Sequence, residues 1–335
     1  MNGKKALLAT TLSKLKLNVF FRNVRRLFVE DVRIIAYHRI CEIDEYNDKE
    51  LVSASCKEFE KQVIYIKKHY NAISFSELIE CIRNKSSFPK NALIITFDDG
   101  FADNYINAFP ILKKHQLSAT FFISTGYIDT KETFWFNLLS RLVKTNAGGV
   151  FNIENSEFCI SNDLKEQEIL LLDLLVLLKN RPNLKRLEIL NDLTSQLSNR
   201  GPCDPLSLPM TWENIKEMGK YKIEFGSHTV THPILSQLTE QELENEIRTS
   251  KKDLEEHLGR KIQTISYPEG MEYAYNKKVI DIVDKAGYEL GCSYIPGVNK
   301  LDSLELFQLK RMHVERYVNF DLFRSMLAMP EIFGK

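Results

Sequence analysis

The chain of 335 residues has little that would hold it together other than a hydrophobic core. Its six cysteines, Cys41, Cys56, Cys81, Cys159, Cys203 and Cys292, show no C-x-x-C spacing. That excludes zinc ribbons and a disulfide framework and suits buried thiols in a reducing compartment. No run approaches the roughly 18 apolar residues of a spanning helix, so no membrane span is expected. Net charge is also lacking, with 45 Lys and Arg against 45 Asp and Glu. A balanced chain has no global field for nucleic acid, so none is expected as a partner and any basic docking surface must be local. What the chain does have is 44% hydrophobic residues, which removes the collagen-like, disordered and disulfide-scaffold classes. At this length roughly 75% of the unfolded surface can be buried, enough for one large domain or two ordinary ones without a structural metal.

Charge is uneven in one place. Residues 1–29 carry Lys4, Lys5, Lys14, Lys16, Arg22, Arg25 and Arg26 and no acidic residue. Ala6–Leu12 is too short and too rich in threonine for a signal-peptide core, which points to the cytoplasm. The basic stretch points to the inner face of the membrane. Leu15, Leu17, Val19, Phe20, Phe21, Leu27 and Phe28 are interleaved with the cations. Residues 1–30 are therefore either a basic amphipathic segment lying on an anionic bilayer or an ordinary helix packed on the domain.

Further along, short apolar runs alternate with helical stretches, the pattern of β/α units around a parallel sheet or barrel. Strands are expected at Val32–Tyr37, Ala92–Phe97, Ala119–Ile123, Ile223–Gly226, Thr264–Tyr267 and Tyr288–Ser293. Helices are expected at Phe59–Lys68, Phe75–Arg83, Ala108–Lys114, Glu240–Leu258 and Lys277–Ala286. Residues 131–209 break the rhythm and read as a helical insertion, with Leu164–Asn180 and Leu184–Leu197 on either side of Pro182. The proline-rich stretch Gly201–Pro209 returns the chain to the main domain, 31–130 and 210–325.

Chemistry gathers at strand ends. Thr96-Phe97-Asp98-Asp99-Gly100 closes an apolar strand with two carboxylates and a glycine. This is either a plain Asp-Asp-Gly turn or a pair with divided labour, one carboxylate held by a cation and the other free to take a proton. Gly226-Ser227-His228-Thr229-Val230-Thr231-His232-Pro233 places two imidazoles four residues apart. They lie near one face if the segment is helical or tightly turned, and can share a divalent ion. Zinc is favoured by ligand type, and Co2+, Ni2+, Mn2+ or Fe2+ would satisfy the same donors. With Asp99 as third ligand, a position stays open for water, a hydrolytic arrangement in which Asp98 is the general base. A second acid must protonate a departing amine. His313 is the candidate by residue type, or else it is an interior histidine on a strand.

At these residues the chain resembles the NodB-homology polysaccharide deacetylases, the fourth family of carbohydrate esterases. The Thr-Phe-Asp-Asp-Gly block and the H-x3-H block occur in the family's order. The resemblance implies a hydrolase on an α/β fold, a distorted (β/α) barrel of about seven strands with the helical insertion. It also implies metal-dependent removal of N-acetyl groups from amino sugars in a polysaccharide, oligosaccharide or glycolipid. Asp98 would be the catalytic base, Asp99, His228 and His232 the metal ligands, and His313 the general acid of the segment around Arg311. His38, in a Tyr-His start, would lie near the site. Tyr267-Pro268-Glu269-Gly270 occupies the third block, where the family pattern is Arg-Pro-Pro-Tyr-Gly. Ser266 replaces the arginine that braces the base in the family, and Arg311 or Arg39 could substitute for it in space. The Glu269 N–H would serve the oxyanion, with Tyr267, Arg311 and His38 beside the substrate. Rival readings are an O-acetyl esterase or another amide or imide hydrolase on the same scaffold, and a catalytically silent glycan-binding homologue.

Overall fold

The computed structural model describes residues 2–42, 51–197 and 205–334, with side chains from residue 4 onward. Gly201 to Asp204, with Cys203, lie outside the described residues, as does part of the expected return segment.

In chain order, two N-terminal helices, α1 (Asn2–Lys14) and α2 (Leu17–Phe28), precede β1 (Asp31–Tyr37). Then come α3 (Cys56–His69), α4 (Phe75–Arg83), β2 (Ala92–Phe97), α5 (Phe109–His115) and β3 (Ala119–Ile123). The insertion contains α6 (Trp135–Thr145), α7 (Leu164–Lys179) and α8 (Asn183–Gln196), and α9 (Trp212–Met218) returns to the barrel. The second half runs β4 (Ile223–Ser227), α10 (Glu240–Leu258), β5 (Thr264–Ser266), α11 (Lys277–Lys285), β6 (Leu290–Cys292), β7 (Met312–His313) and α12 (Phe320–Ala328).

The strands lie parallel in the order β6-β5-β4-β3-β2-β1-β7. The chain entering β7 then meets β6 again, where Leu309 bridges Cys292 and Leu309 N donates to Gly291 O at 2.9 Å. The curled sheet thus comes round into the seven-stranded distorted barrel. Each residue of β2 is buried because helices cover one face and the barrel interior the other. In the layer beneath α3, Phe97 stacks on Phe121 with ring centroids 4.5 Å apart, Tyr37 stacks on Phe97 at 5.3 Å, and both Tyr37 and Phe97 meet Phe59 of that helix edge-on. The helices begin where capping chemistry permits. Ser74 and Glu77 form a capping box on α4, and Thr239 and Glu242 form one on α10.

Gly226 shows how tightly β4 is wedged between its neighbours. A Cβ at this position would stand 2.5 Å from the Phe122 ring and 2.6 Å from Thr264 Oγ1. Gly226→Ala should therefore cost about 1–3 kcal/mol of stability through overpacking, read as a lower urea midpoint at unchanged slope.

Three local features differ from the sequence reading. The insertion is not wholly helical, since Val150–Ile153 and Ser156–Cys159 form an antiparallel hairpin. Alternation in so short a pair, Phe151 and Ile153 inward and Val150 and Asn152 outward, is easily overlooked between longer helices. A wide helical turn, Asn104–Ala108, precedes α5 and starts that helical stretch earlier than expected. The N-terminal stretch is two helices, broken at Lys16, whose φ is 56°.

Candidate active site

The loops at the C-terminal ends of β1, β2, β4, β5 and β7 bring together residues far apart in sequence. Asp98 and Asp99 follow β2, and the strand's alternation would send their side chains to opposite faces. A left-handed backbone at Asp99 (φ 72°) and Gly100 (φ 93°) breaks that alternation. The His228–His232 loop is a tight turn, with Thr229 at φ 68° and His232 at φ 55°. Non-glycine residues in this region carry strain that the surroundings must hold. Here Glu246, on the inward face of α10, accepts from Val230 N at 2.7 Å, Thr231 N at 2.9 Å and the Thr231 hydroxyl at 2.6 Å. Thr229 Oγ1 accepts from His232 N at 3.1 Å.

The result is a buried cluster of Asp99, His228 and His232, whose ligand atoms all lie within 4.8 Å of one another. His228 Nδ1 faces the Ser266 carbonyl at 2.8 Å. A carbonyl can only accept, so Nδ1 carries the proton and Nε2 presents its lone pair, the orientation seen in metal-ligating histidines. Asp99 Oδ1 lies 3.5 Å from His228 Nε2 and 3.3 Å from His232 Nε2, is buried, and among the described residues has no hydrogen-bond donor. A carboxylate facing two imidazoles with no donor is an electron-rich set that a divalent cation completes. Burial opposes ionisation of Asp99, but the two imidazoles outweigh it and hold its carboxyl far below the usual range. Burial would lower His228, and Asp98 with Asp99 outweighs it to raise this imidazole.

Asp98 is braced by Arg311, which enters from the start of β7. The guanidinium donates from Nη1 to Oδ1 and from Nη2 to Oδ2, both at 2.8 Å, and both groups are buried. Nη2 also donates to Ser266 Oγ, and Nε to the Ser293 carbonyl, each at 2.8 Å. The expectation of an arginine substituting in space is met by Arg311. Ser266, standing in the third block where the resemblance expects arginine, is the residue that receives it. Arg39 is occupied elsewhere, paired with Asp103 at 2.7 Å; burial pushes the Asp103 carboxyl up to about 6 despite that partner. For Asp98 burial also acts upward, and the Arg311 charge and hydrogen bonds outweigh it, leaving the carboxyl below its ordinary value. Removing Arg311 strands that charge. Arg311→Met should cost about 3–5 kcal/mol, measured by urea unfolding, and Arg311→Lys should recover only part because it loses the bidentate fork.

His313 lies beside the pair on β7, its ring stacked on Tyr294 with centroids 3.4 Å apart. Its Nε2 is buried without a hydrogen-bond partner. Burial, followed by the Arg311 and His38 charges, pushes its pKa down to about 3, so the imidazole is neutral at rest. His38 is half-buried and packs edge-on against Tyr294 at 5.7 Å.

Glu269 has φ 61°, and among the described residues no main-chain carbonyl accepts its N–H. Its carboxylate meets Lys179 from α7 at 3.0 Å and accepts from Tyr273 at 3.1 Å. The extra negative charge of the third block is therefore matched by the insertion. Tyr267 must be corrected as a substrate contact. Its ring is buried against Tyr275, its hydroxyl donates to Phe307 O at 2.9 Å and its N–H to Cys292 O at 3.0 Å.

Sequence reasoning missed Glu246, although an acidic residue in line with Leu243, Ile247, Ser250 and Leu254 on one face of α10 is a readable signal. It also missed that the insertion walls the site. Phe136 lies edge-on to His232 at 5.3 Å, while Phe134 is fully buried against Phe101. Trp212 stacks on His257 with ring centroids 3.8 Å apart.

The polysaccharide deacetylase family model matches residues 85–291, well over half of the chain. The chain is 23% identical over 259 residues to YxkH of Bacillus subtilis (strain 168), described as a polysaccharide deacetylase, covering 77% of this chain and 64% of that protein. It is 35% identical over 116 residues to the poly-beta-1,6-N-acetyl-D-glucosamine N-deacetylase of Staphylococcus epidermidis, covering 31% of this chain and 40% of that protein. The matched stretch thus spans less than two thirds of either relative. Among solved structures, the Streptococcus pyogenes deacetylase PplD, in complex with acetate, superposes with a TM-score of 0.61 at 21% identity, covering 89% of this chain and 99% of that one. IcaB from Ammonifex degensii superposes with a TM-score of 0.57 at 18% identity, covering 89% and 96%. These structural likenesses establish the shared fold.

Proposed function

Because the chain belongs to the polysaccharide deacetylase family, we propose that it hydrolyses N-acetyl groups on amino sugars of a polysaccharide. The observation that carries this reading is the buried Asp99, His228 and His232 cluster beside an arginine-braced Asp98. Those three side chains would hold one divalent ion, with zinc the best match to two nitrogens and one oxygen. When bound, the ion supplies Lewis-acid polarisation of a carbonyl and a water far more acidic than bulk.

The chain's own groups do the rest. Arg311 keeps Asp98 ionised and aimed, so its carboxylate accepts the proton from the attacking water. The Glu269 N–H, which no main-chain carbonyl among the described residues accepts, would donate to oxygen charge developing at the acetyl carbonyl. His313 is the donor to the leaving amine. Neutral at rest, its imidazole would take up the proton that Asp98 gained from the water and, being a weak base, pass it on to the amine, so that the protons balance. Phe136 shields one side of the cluster from water. N-acetyl specificity is supported by the S. epidermidis relative, whose name states an N-deacetylase of poly-beta-1,6-N-acetyl-D-glucosamine.

The test is acetate release by zinc-replete protein from N-acetylglucosamine oligomers and from O-acetylated glycans of matched length. Release from the first set and little from the second is expected. Release from the O-acetylated set alone would make the protein an esterase, and glycan binding without acetate from either would make it a silent homologue.

A further inference from the structure

Helix α2 is turned the wrong way round for a helix on a water-soluble surface. Asn18, Arg22 and Arg25, spaced i, i+4, i+7, face the protein. Asn18 and Arg22 are buried, and Arg25 pairs with Asp31 and with Glu331. Arg22 reaches the Tyr65 hydroxyl at 3.5 Å. The apolar side chains of the helix, Phe20, Phe21, Val24, Leu27 and Phe28, point outward, with Leu27 69% and Phe28 80% exposed. Helix α1 adds Leu7 and Leu8, and the turn after it Leu15, to the same class of exposed residue, while Ala9 of α1 is buried and Leu12 packs on the core. Ordinary amphipathic helices bury the apolar stripe, and so large an exposed apolar surface marks a docking face.

We propose that α1 and α2 dock on an anionic lipid surface. Charge complementarity selects that occupant. Exposed Lys4, Lys14, Lys16 and Arg26 sit among the apolar side chains, and residues 1–29 contain no acidic residue. Aromatic and leucine side chains sink into the headgroup boundary while flanking cations meet anionic phosphates. A second copy of this chain fits poorly, because a two-fold pairing of the face would set cations against cations with no acid from either stretch. Docking also orients the enzyme. Arg25 fastens α2 to Asp31 at the start of β1, whereas Asp98 N donates to Tyr37 O at the far end of that strand. Six residue steps of β rise separate the two ends by about 20 Å, so the site lies at the end of the strand remote from that anchor.

The full chain is mixed with sucrose-loaded vesicles of phosphatidylcholine alone or of phosphatidylcholine with phosphatidylglycerol, and partitioning is measured by sedimentation. Binding is expected to be about a hundredfold tighter to the phosphatidylglycerol vesicles and to weaken as salt rises. Leu27→Glu with Phe28→Glu should weaken it by about tenfold or more, and Lys14→Glu with Lys16→Glu should abolish the preference for phosphatidylglycerol. All four side chains are exposed, so thermal midpoints and acetate release from soluble oligomers should stay unchanged. Equal partitioning into both vesicle types, or none, overturns the proposal. So does lipid-free dimerisation that the Leu27/Phe28 double variant abolishes. Because release from soluble oligomers is scored separately, loss of lipid binding is distinguishable from failure of the deacetylase reading.

Discussion

Asp99→Ala should empty the site and silence it together. The Asp99 carboxylate is the one oxygen donor between two buried imidazoles, and its Oδ1 has no other partner to keep it there. Without it the two histidines form an incomplete set, so metal measured by elemental analysis of purified protein should fall from about one ion per chain to near none. Acetate release should drop by about a thousandfold or more, since the ion's stabilisation of transition-state charge is worth several kcal/mol. His232→Ala should behave alike. The fold should survive, because what is removed is a buried charge whose counter-ion has also gone. Full activity in an Asp99→Ala protein lacking metal would mean that these three residues serve another purpose.

The second expectation separates ligand from base. Asp98→Asn leaves Asp99, His228 and His232 in place, so metal content should stay near wild type. It removes only a proton acceptor, and kcat should fall by about 10²–10⁴-fold. The amide keeps one oxygen for Arg311 but presents an NH2 group where the second fork bond was accepted. A stability loss is therefore expected too, and activity should be compared at a temperature where both proteins are folded. If Asp98→Asn loses metal in step with rate, Asp98 is a ligand rather than the base.

Much of the frame could be read before any coordinates. β2 at Ala92–Phe97 and β3 at Ala119–Ile123 coincide with the expected strands because continuous β-branched and aromatic runs bounded by turns leave few alternatives. Helix α4 coincides as well, its start marked by a capping box. The Asp99, His228 and His232 cluster was readable because two blocks of uncommon residue types each close a strand. For its bracing the resemblance left two arginines, Arg311 and Arg39, and the structure chooses the first. Arg311 reaches Asp98 across 213 positions, and nothing local to either residue announces that meeting. The replacement of the third-block arginine by Ser266 made sense only once Arg311 was seen donating to Ser266 Oγ. Tyr267 misled for the opposite reason, since it stands in the block that the resemblance assigns to the site while its side chain fills the core. The N-terminal stretch left two options open by pattern alone. Its second helix packs on the domain through its polar face, an inversion that periodicity cannot reveal because it does not say which side is inward.

The central claim, that Asp99, His228 and His232 hold an ion on which hydrolysis depends, has a direct measurement. Wild-type protein is stripped with a chelator, assayed for acetate release from N-acetylglucosamine oligomers, and assayed again after stoichiometric zinc is returned. Stripped protein should be folded and inactive, with the rate restored as one equivalent binds. An unchanged rate in protein verified to be free of metal would contradict the account.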